Sequence, residues 1–238
     1  MVVKKLMVQA VSVVVAGLFA GGCSSTYRFK VDAISNPEKS GHQSYKLVSS
    51  NSEVSEEDLQ FKEVAAYVKT SLSSKGIYEA PNVESAEMII DISYGVGEPQ
   101  IDFKTYSSPV YAVTGGGYRT VMTQVVGPDG KVRTVATTIY TPPRREMVDM
   151  EERVVPITTY EKFLRLTARD NTEQDVSETP VQVWSIYVKS KDESDDLRKY
   201  IPLMAAASVP YVGENTDKQQ DIKLKDSDDV VAFVKEGM

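Results

Sequence analysis

Histidine, cysteine and tryptophan each occur once in this chain of 238 residues, as His42, Cys23 and Trp184, and each scarcity removes a class of chemistry. A single cysteine excludes an internal disulfide, so a domain exported to an oxidising compartment must hold together by core burial alone. A chain of about 200 residues buries around 70% of its unfolded surface and can do so. A single histidine leaves no second imidazole for a metal site, which needs three or four converging ligands. His42 sits beside Gly41 in a polar stretch, where nothing is predicted to hold it as a triad base. Basic residues are in deficit, 27 Lys and Arg against 34 Asp and Glu, for a net charge of −7. That balance argues against nucleic acid and against direct adsorption to anionic headgroups, both of which require basic clusters. The chain also lacks an uninterrupted apolar run of about 20 residues, internal repeats and low-complexity tracts. Gly115-Gly116-Gly117 is not a phosphate cradle, because a β-rich run follows it instead of Lys-Ser/Thr and a helix.

What is present begins at the N-terminus. Leu6–Ala20 is uncharged but is interrupted by Gln9 and Ser12 and stops short of a bilayer span. The run Val11–Val15 is a poor helix former and carries no amphipathic stripe, which argues against a buried helix. Lys4 and Lys5, the apolar middle and Gly21-Gly22 ahead of Cys23 match the layout of a cleaved signal. This segment resembles a bacterial lipoprotein signal, with Ala20 where that family most often has Leu and with Leu18 and Phe19 supplying bulk upstream. The resemblance implies cleavage of residues 1–22 and lipidation of Cys23 by a thioether-linked diacylglycerol and a further amide-linked chain. Two or three acyl chains make an anchor effectively permanent. Ser24 in place of Asp after the cysteine implies the outer membrane, facing the periplasm. Loss of residues 1–22 removes two lysines and no acids, leaving 25 basic against 34 acidic residues and a net charge of −9.

Beyond the cysteine, residues 23–43 are polar and broken by Pro37 and Gly41. They read as a tether, with Tyr27–Val31 a candidate edge strand. Ser44–Ser49 alternates as a strand. Ser55 is placed to cap a helix whose Phe61, Val64, Ala65, Val68 and Leu72 share one face and whose stop is Gly76. Ala86–Val96 alternates again. Residues 97–117 lose periodicity, with Pro99, Pro109 and three glycines, and a loop is expected there. Tyr118–Val126 and Lys131–Tyr140 flank Gly127-Pro128-Asp129-Gly130, a hairpin signal. A charged stretch after Arg144-Arg145, taken as an exposed loop, leads to strands at Ile157–Ala168 and Val181–Lys189. A helix follows from Ser194 with Pro202 inside it. Residues 214–238 read as a C-terminal extension holding a short strand and a short helix. The expected fold is α+β, a mainly antiparallel sheet of about five to six strands with two or three helices on one face, in one domain over residues 44–213.

Ser44-Tyr45, the helix end Leu72-Ser73-Ser74-Lys75-Gly76-Ile77, the strand start Ser85-Ala86-Glu87-Met88-Ile89-Ile90 and Val183-Trp184-Ser185 carry a second resemblance. Over Ser44 to Gly213 the chain resembles the bacterial lipoproteins grouped as domain of unknown function 4136, with a longer middle from Gly97 to Pro156. The resemblance implies a membrane-tethered periplasmic domain and brings no catalytic residues.

Candidates for chemistry are few. Asp91, on the polar face of its strand, and Asp102 form a possible carboxylate pair for glycoside hydrolysis, but nothing in the sequence fixes their separation. Asp192, Glu193, Asp195 and Asp196 lack the glycine and spacing of a calcium loop. No cofactor is expected. The sequence therefore points to a non-enzymatic, lipid-anchored envelope protein that binds another envelope protein or peptidoglycan. Its candidate surface is Phe103, Tyr106, Tyr111 and Tyr118 in the irregular segment Pro99–Tyr118. A carboxylate hydrolase and a small-molecule or lipid carrier are the alternatives, and the oligomeric state is left open.

Overall fold

The computed structural model describes residues 25–39, 41–172 and 180–237. The signal-like segment and Cys23 lie outside the described residues. The chain divides into two compact units, residues 1–100 with 158–238, and Ile101–Ile157.

The first unit is a sheet covered on one face by helices. Its strands are β1 (Thr26–Ser35), β2 (Ser44–Ser49), β3 (Tyr78–Glu79), β4 (Met88–Val96), residues 158–170 of β8 (Arg144–Asp170), β9 (Gln182–Asp192) and β10 (Gln220–Lys225). They lie in the order β10-β1-β9-β8-β4-β2-β3. Pairings are antiparallel except those of β2, which runs parallel to β3 and β4. Alternate residues point inward: Phe29, Val31 and Ala33 on β1, Met88, Ile90 and Ile92 on β4, Leu164, Leu166 and Ala168 on β8, and Trp184, Ile186 and Val188 on β9. The period of two places their neighbours on the opposite, polar face.

Three helices share the core with that face: α1 (Leu59–Ser73), α2 (Leu197–Ser208) and α3 (Asp229–Glu236). The apolar spacing of α1 is realised, with Phe61, Val64, Ala65, Val68 and Leu72 all buried. Its cap differs from expectation. The Asp58 carboxylate accepts from the Gln60 and Phe61 N–H groups, while Ser55 only closes a turn with Glu57 N–H. Likewise Asp196, not Ser194, caps α2 by accepting from Lys199 N–H. Aspartate caps as well as serine does, and the residue adjoining the first inward turn takes the role.

Two expected boundaries are corrected. The segment read as a tether holds β1, which lies between β9 and β10 with Phe29 and Val31 fully buried. The segment read as an extension holds β10, paired to β1 from Thr26↔Lys225 to Val31↔Gln220, and α3, whose Val231 and Val234 are fully buried. The fold is α+β, but the sheet is larger than expected, eight strands when β5 is counted, and is mixed.

The second unit is β-structure without helices. It comprises β5 (Gln100–Thr114), β6 (Gly117–Val126), β7 (Val132–Thr141) and residues 144–157 of β8, with β5 on β8 and β6 on β7. The loop expected over residues 97–117 is therefore mostly strand, and the charged stretch after Arg144-Arg145 is strand too. Pro109 is tolerated because a two-stranded ribbon has outer edges that need no N–H. No residue from Ile101 to Ile157 is buried.

Candidate functional site

All four candidate aromatics fall in this ribbon, and all are exposed: Phe103 72%, Tyr106 45%, Tyr111 49% and Tyr118 77%. They do not form one patch. Phe103 and Tyr111 lie on one face of β5 and Tyr106 on the other, by the alternation of side chains along a strand. Each tyrosine has a different neighbour. The Lys104 ammonium lies 5.5 Å from the Tyr106 ring centre, the Arg145 guanidinium 4.7 Å from that of Tyr111, and the Tyr140 ring 5.0 Å from Tyr118.

β6 and β7 are built by local signals. Gly127 and Lys131 close the turn, with Gly127 N–H donating to Lys131 O at 2.9 Å and Gly130 N–H to Gly127 O at 2.9 Å. Gly130 has φ +70°, a conformation that L side chains rarely adopt. The Asp129 carboxylate takes the Lys131 N–H and pairs with Arg133 at 2.8 Å. At the other end Gly115 has φ +83°, and a Cβ there would stand 2.7 Å from Pro142 O. Only glycine fits this crossing of backbones.

The register sorts the side chains into two sets. On one face Tyr118 opposes Tyr140, Thr120 opposes Thr138, Met122 opposes Ala136, Gln124 opposes Thr134, and Val126 opposes Val132. This face carries no charge. On the other, Arg119 opposes Ile139, Val121 opposes Thr137, Thr123 opposes Val135, and Val125 opposes Arg133. Neither strand contains an acid. Among the described residues no third strand pairs with β6 or β7. A two-stranded hairpin alone is marginally stable in water, and contiguous exposed apolar surface marks a place of contact.

The first unit holds polar clusters of another kind. Lys162 points inward in phase with Leu164 and Leu166 and has no exposed surface. Its ammonium donates to Asp192 at 2.7 Å and to Ser194 O, and lies 4.3 Å from the Tyr200 ring centre, while Tyr200 OH donates to the other Asp192 oxygen. Burial alone would raise the Asp192 carboxyl, but the bonds from Lys162, Tyr200 and Ser194 N–H hold it below the usual range. Burial and the Asp192 charge push the Tyr200 hydroxyl well up. The cluster ties β8 and β9 to the start of α2, a structural use of an ion pair in which Lys162 is buried and Asp192 half-buried.

Asp170 ends β8. Burial would raise its carboxyl, but Thr172, through both its hydroxyl and its N–H, and the Lys39 ammonium at 3.0 Å hold it far below the usual carboxylate range. His42 accompanies them, its Nε2 3.6 Å from Asp170 and its Nδ1 2.9 Å from Lys39 O. Asp91 is engaged by Arg169 at 3.3 Å, and Asp102 belongs to the other unit, so the two carboxylates are not brought to one site within either unit. Trp184 is buried in the core. A cleft of 370 Å³ on the helical surface is lined by Leu59, Val64, Tyr67 and Ile201 beside the Glu63–Arg198 pair, with no strand residue in it. A 590 Å³ groove on the polar face of the sheet gathers Arg28, Lys30, Lys189, Lys191 and Lys223 with Glu161 and Asp221. Among the described residues no three of His, Cys, Asp and Glu are grouped to hold a metal, and no helix is long and apolar enough to cross a membrane.

No family model matches the chain, and no curated protein does. The resemblance to domain of unknown function 4136 is thus carried by the residues quoted above alone. Among solved structures, a PDZ domain protein from Parabacteroides distasonis aligns with 88% of this chain at 11% identity and a TM-score of 0.37. The alignment spans 41% of that protein's length. A likeness at that level does not establish a shared fold, and no function is carried across from it.

Proposed function

We propose that this chain is a lipid-anchored envelope protein, without enzymatic activity, that works as an interaction module and contacts its protein partner through the ribbon Ile101–Ile157. One observation supports the reading above the others. Large apolar side chains of the ribbon, among them Phe103, Val113, Tyr118, Met122 and Val126, are exposed, while no residue of the ribbon is buried. Surface of this kind is rare on a protein that acts alone. The anchor belongs to the same reading. Only Ser24 and Ser25 separate Cys23 from the first residue of β1, so acylation of Cys23 would hold the sheet at the membrane surface. The proposed location is the outer membrane, facing the periplasm.

The test is site-specific photo-crosslinking in intact cells. A photoreactive residue at Phe103 or Tyr118 is expected to give a discrete covalent adduct, lost when Cys23→Ala removes the anchor. The same residue at Lys62 on α1 or Lys223 on β10 is expected to give none. Adducts of equal yield at all four positions would contradict the assignment to the ribbon.

A further inference from the structure

The hairpin β6–β7 has the length, edges and charge pattern of a membrane-spanning β-hairpin. We propose that copies of this chain join edge to edge through β6 and β7 into a closed barrel that crosses a lipid bilayer. This deepens the interaction reading above and rests on it, because it names the partner of the ribbon as further copies of the chain.

The argument starts from length. Each strand has 10 residues, and a bilayer-spanning β-strand needs about 9–11. Charge comes next. Between Thr105 and Pro143 the charged residues are Arg119, Asp129, Lys131 and Arg133, and Asp129 and Lys131 belong to the turn. The two arginines of the strands stand on the same face, and the Tyr118/Tyr140 face carries no charge along its whole length. A hydrocarbon layer tolerates arginine only on the side of a strand turned to water, so the uncharged face is the one that can meet lipid, its Met122, Val126, Val132 and Ala136 interspersed with Thr120, Gln124, Thr134 and Thr138. The paired rings of Tyr118 and Tyr140 lie at the end of the hairpin remote from the turn. Tyrosine at the boundary of an apolar band is the usual anchor at a headgroup layer.

Edges make the case for several copies. In lipid every backbone N–H and C=O must find a partner within protein, so a lone hairpin with two open edges cannot span. The outer edges of β6 and β7 pair with no other described strand. Identical hairpins side by side satisfy them, and a ring leaves no edge over. The bilayer is also the nearest surface to the chain if Cys23 is acylated, since β1 starts three residues after it.

The test uses the full chain with one introduced cysteine at a time from Thr120 to Val125, labelled with an environment-sensitive fluorophore; the unsubstituted chain sets the background from Cys23. Proteins are added to phosphatidylethanolamine–phosphatidylglycerol vesicles. The expected result alternates along the strand. Labels at Thr120, Met122 and Gln124 brighten severalfold and are quenched by lipid-borne quencher, while labels at Val121, Thr123 and Val125 stay in water. Ion flux across the same vesicles is expected, favouring anions, with the preference reversed by Arg119→Glu together with Arg133→Glu. Labels that stay in water on both faces would overturn the barrel, as would protection without alternation, which is the mark of an aggregate. If the barrel fails in this way while Tyr118 still crosslinks to a different protein in cells, the interaction module stands. If the crosslinks are lost as well, both readings fall.

Discussion

The two units of this chain spend the same residue types in opposite ways. In the sheet-and-helix unit, valines, isoleucines and leucines at alternate strand positions vanish into a core shared with three helices. In the ribbon, Val121, Val125, Val135 and Ile139 share one face of the hairpin by the same period of two, yet no element of their own unit buries them. Alternation therefore tells where a strand's faces are, not what lies against them. The first unit builds a core of its own, and the ribbon, with no residue buried from Ile101 to Ile157, does not.

The sharpest way to break this contrast is a pair of truncations. Leu164→Ala is expected to cost about 2–5 kcal/mol in urea denaturation, because its side chain has no exposed surface. The matched change in the ribbon, Met122→Ala, is expected to stay within about 0.5 kcal/mol in the lone chain. An equal cost for both would mean that the ribbon has a core of its own. The next effect concerns the ion pair of buried Lys162 with half-buried Asp192. Asp192→Ala leaves the buried Lys162 ammonium with the Ser194 and Tyr160 carbonyls and the Tyr200 ring but no counter-charge, and is expected to lose about 3 kcal/mol by the same measurement.

Acid should also divide the units. The Asp170 carboxyl sits below its unfolded value, so its contribution to stability is present above about pH 4 and fades as pH falls below that. Thermal melts in that range should drop for the native chain and flatten for Asp170→Asn. The smallest effect belongs to the turn. Asp129→Ala removes the exposed pair with Arg133 and is expected to loosen the hairpin by about 0.2–1 kcal/mol, visible as faster amide exchange at Arg133 and Thr134.

Parts of both units were legible. The spacing of Phe61, Val64, Ala65, Val68 and Leu72 gave α1, the alternation of Met88, Ile90 and Ile92 gave β4, and Gly127–Gly130 gave the hairpin turn. β1 was legible in part, as a candidate edge strand over Tyr27–Val31; Tyr27, Phe29, Val31 and Ala33 recur at a period of two, but the polar break at Pro37 and Gly41 set it in the tether, and its place between β9 and β10 had no local signal. β5 hid behind Pro99 and Pro109, which exclude a central strand but not an edge. The Lys162 cluster had a signal too, a lysine in phase with Leu164, Leu166 and Ala168. Its partners Asp192 and Tyr200 come from the next strand and helix, and only the fold brings them near. The aromatics of the ribbon were read as an adaptable loop surface. Their types were informative, but their placement on two faces of a strand depends on pairing with residues 144–157, which no local pattern announced.

Hydrogen exchange on the full chain, compared between a lone monomer in solution and the membrane-bound form, tests the central claim most directly. The account expects the amides of β6 and β7 to exchange far faster than those of Leu164–Ala168 in the monomer, and to become protected at the membrane. Amides of β6 and β7 as protected in the monomer as those of β8 and β9 would contradict it, for the ribbon would then be complete without a partner.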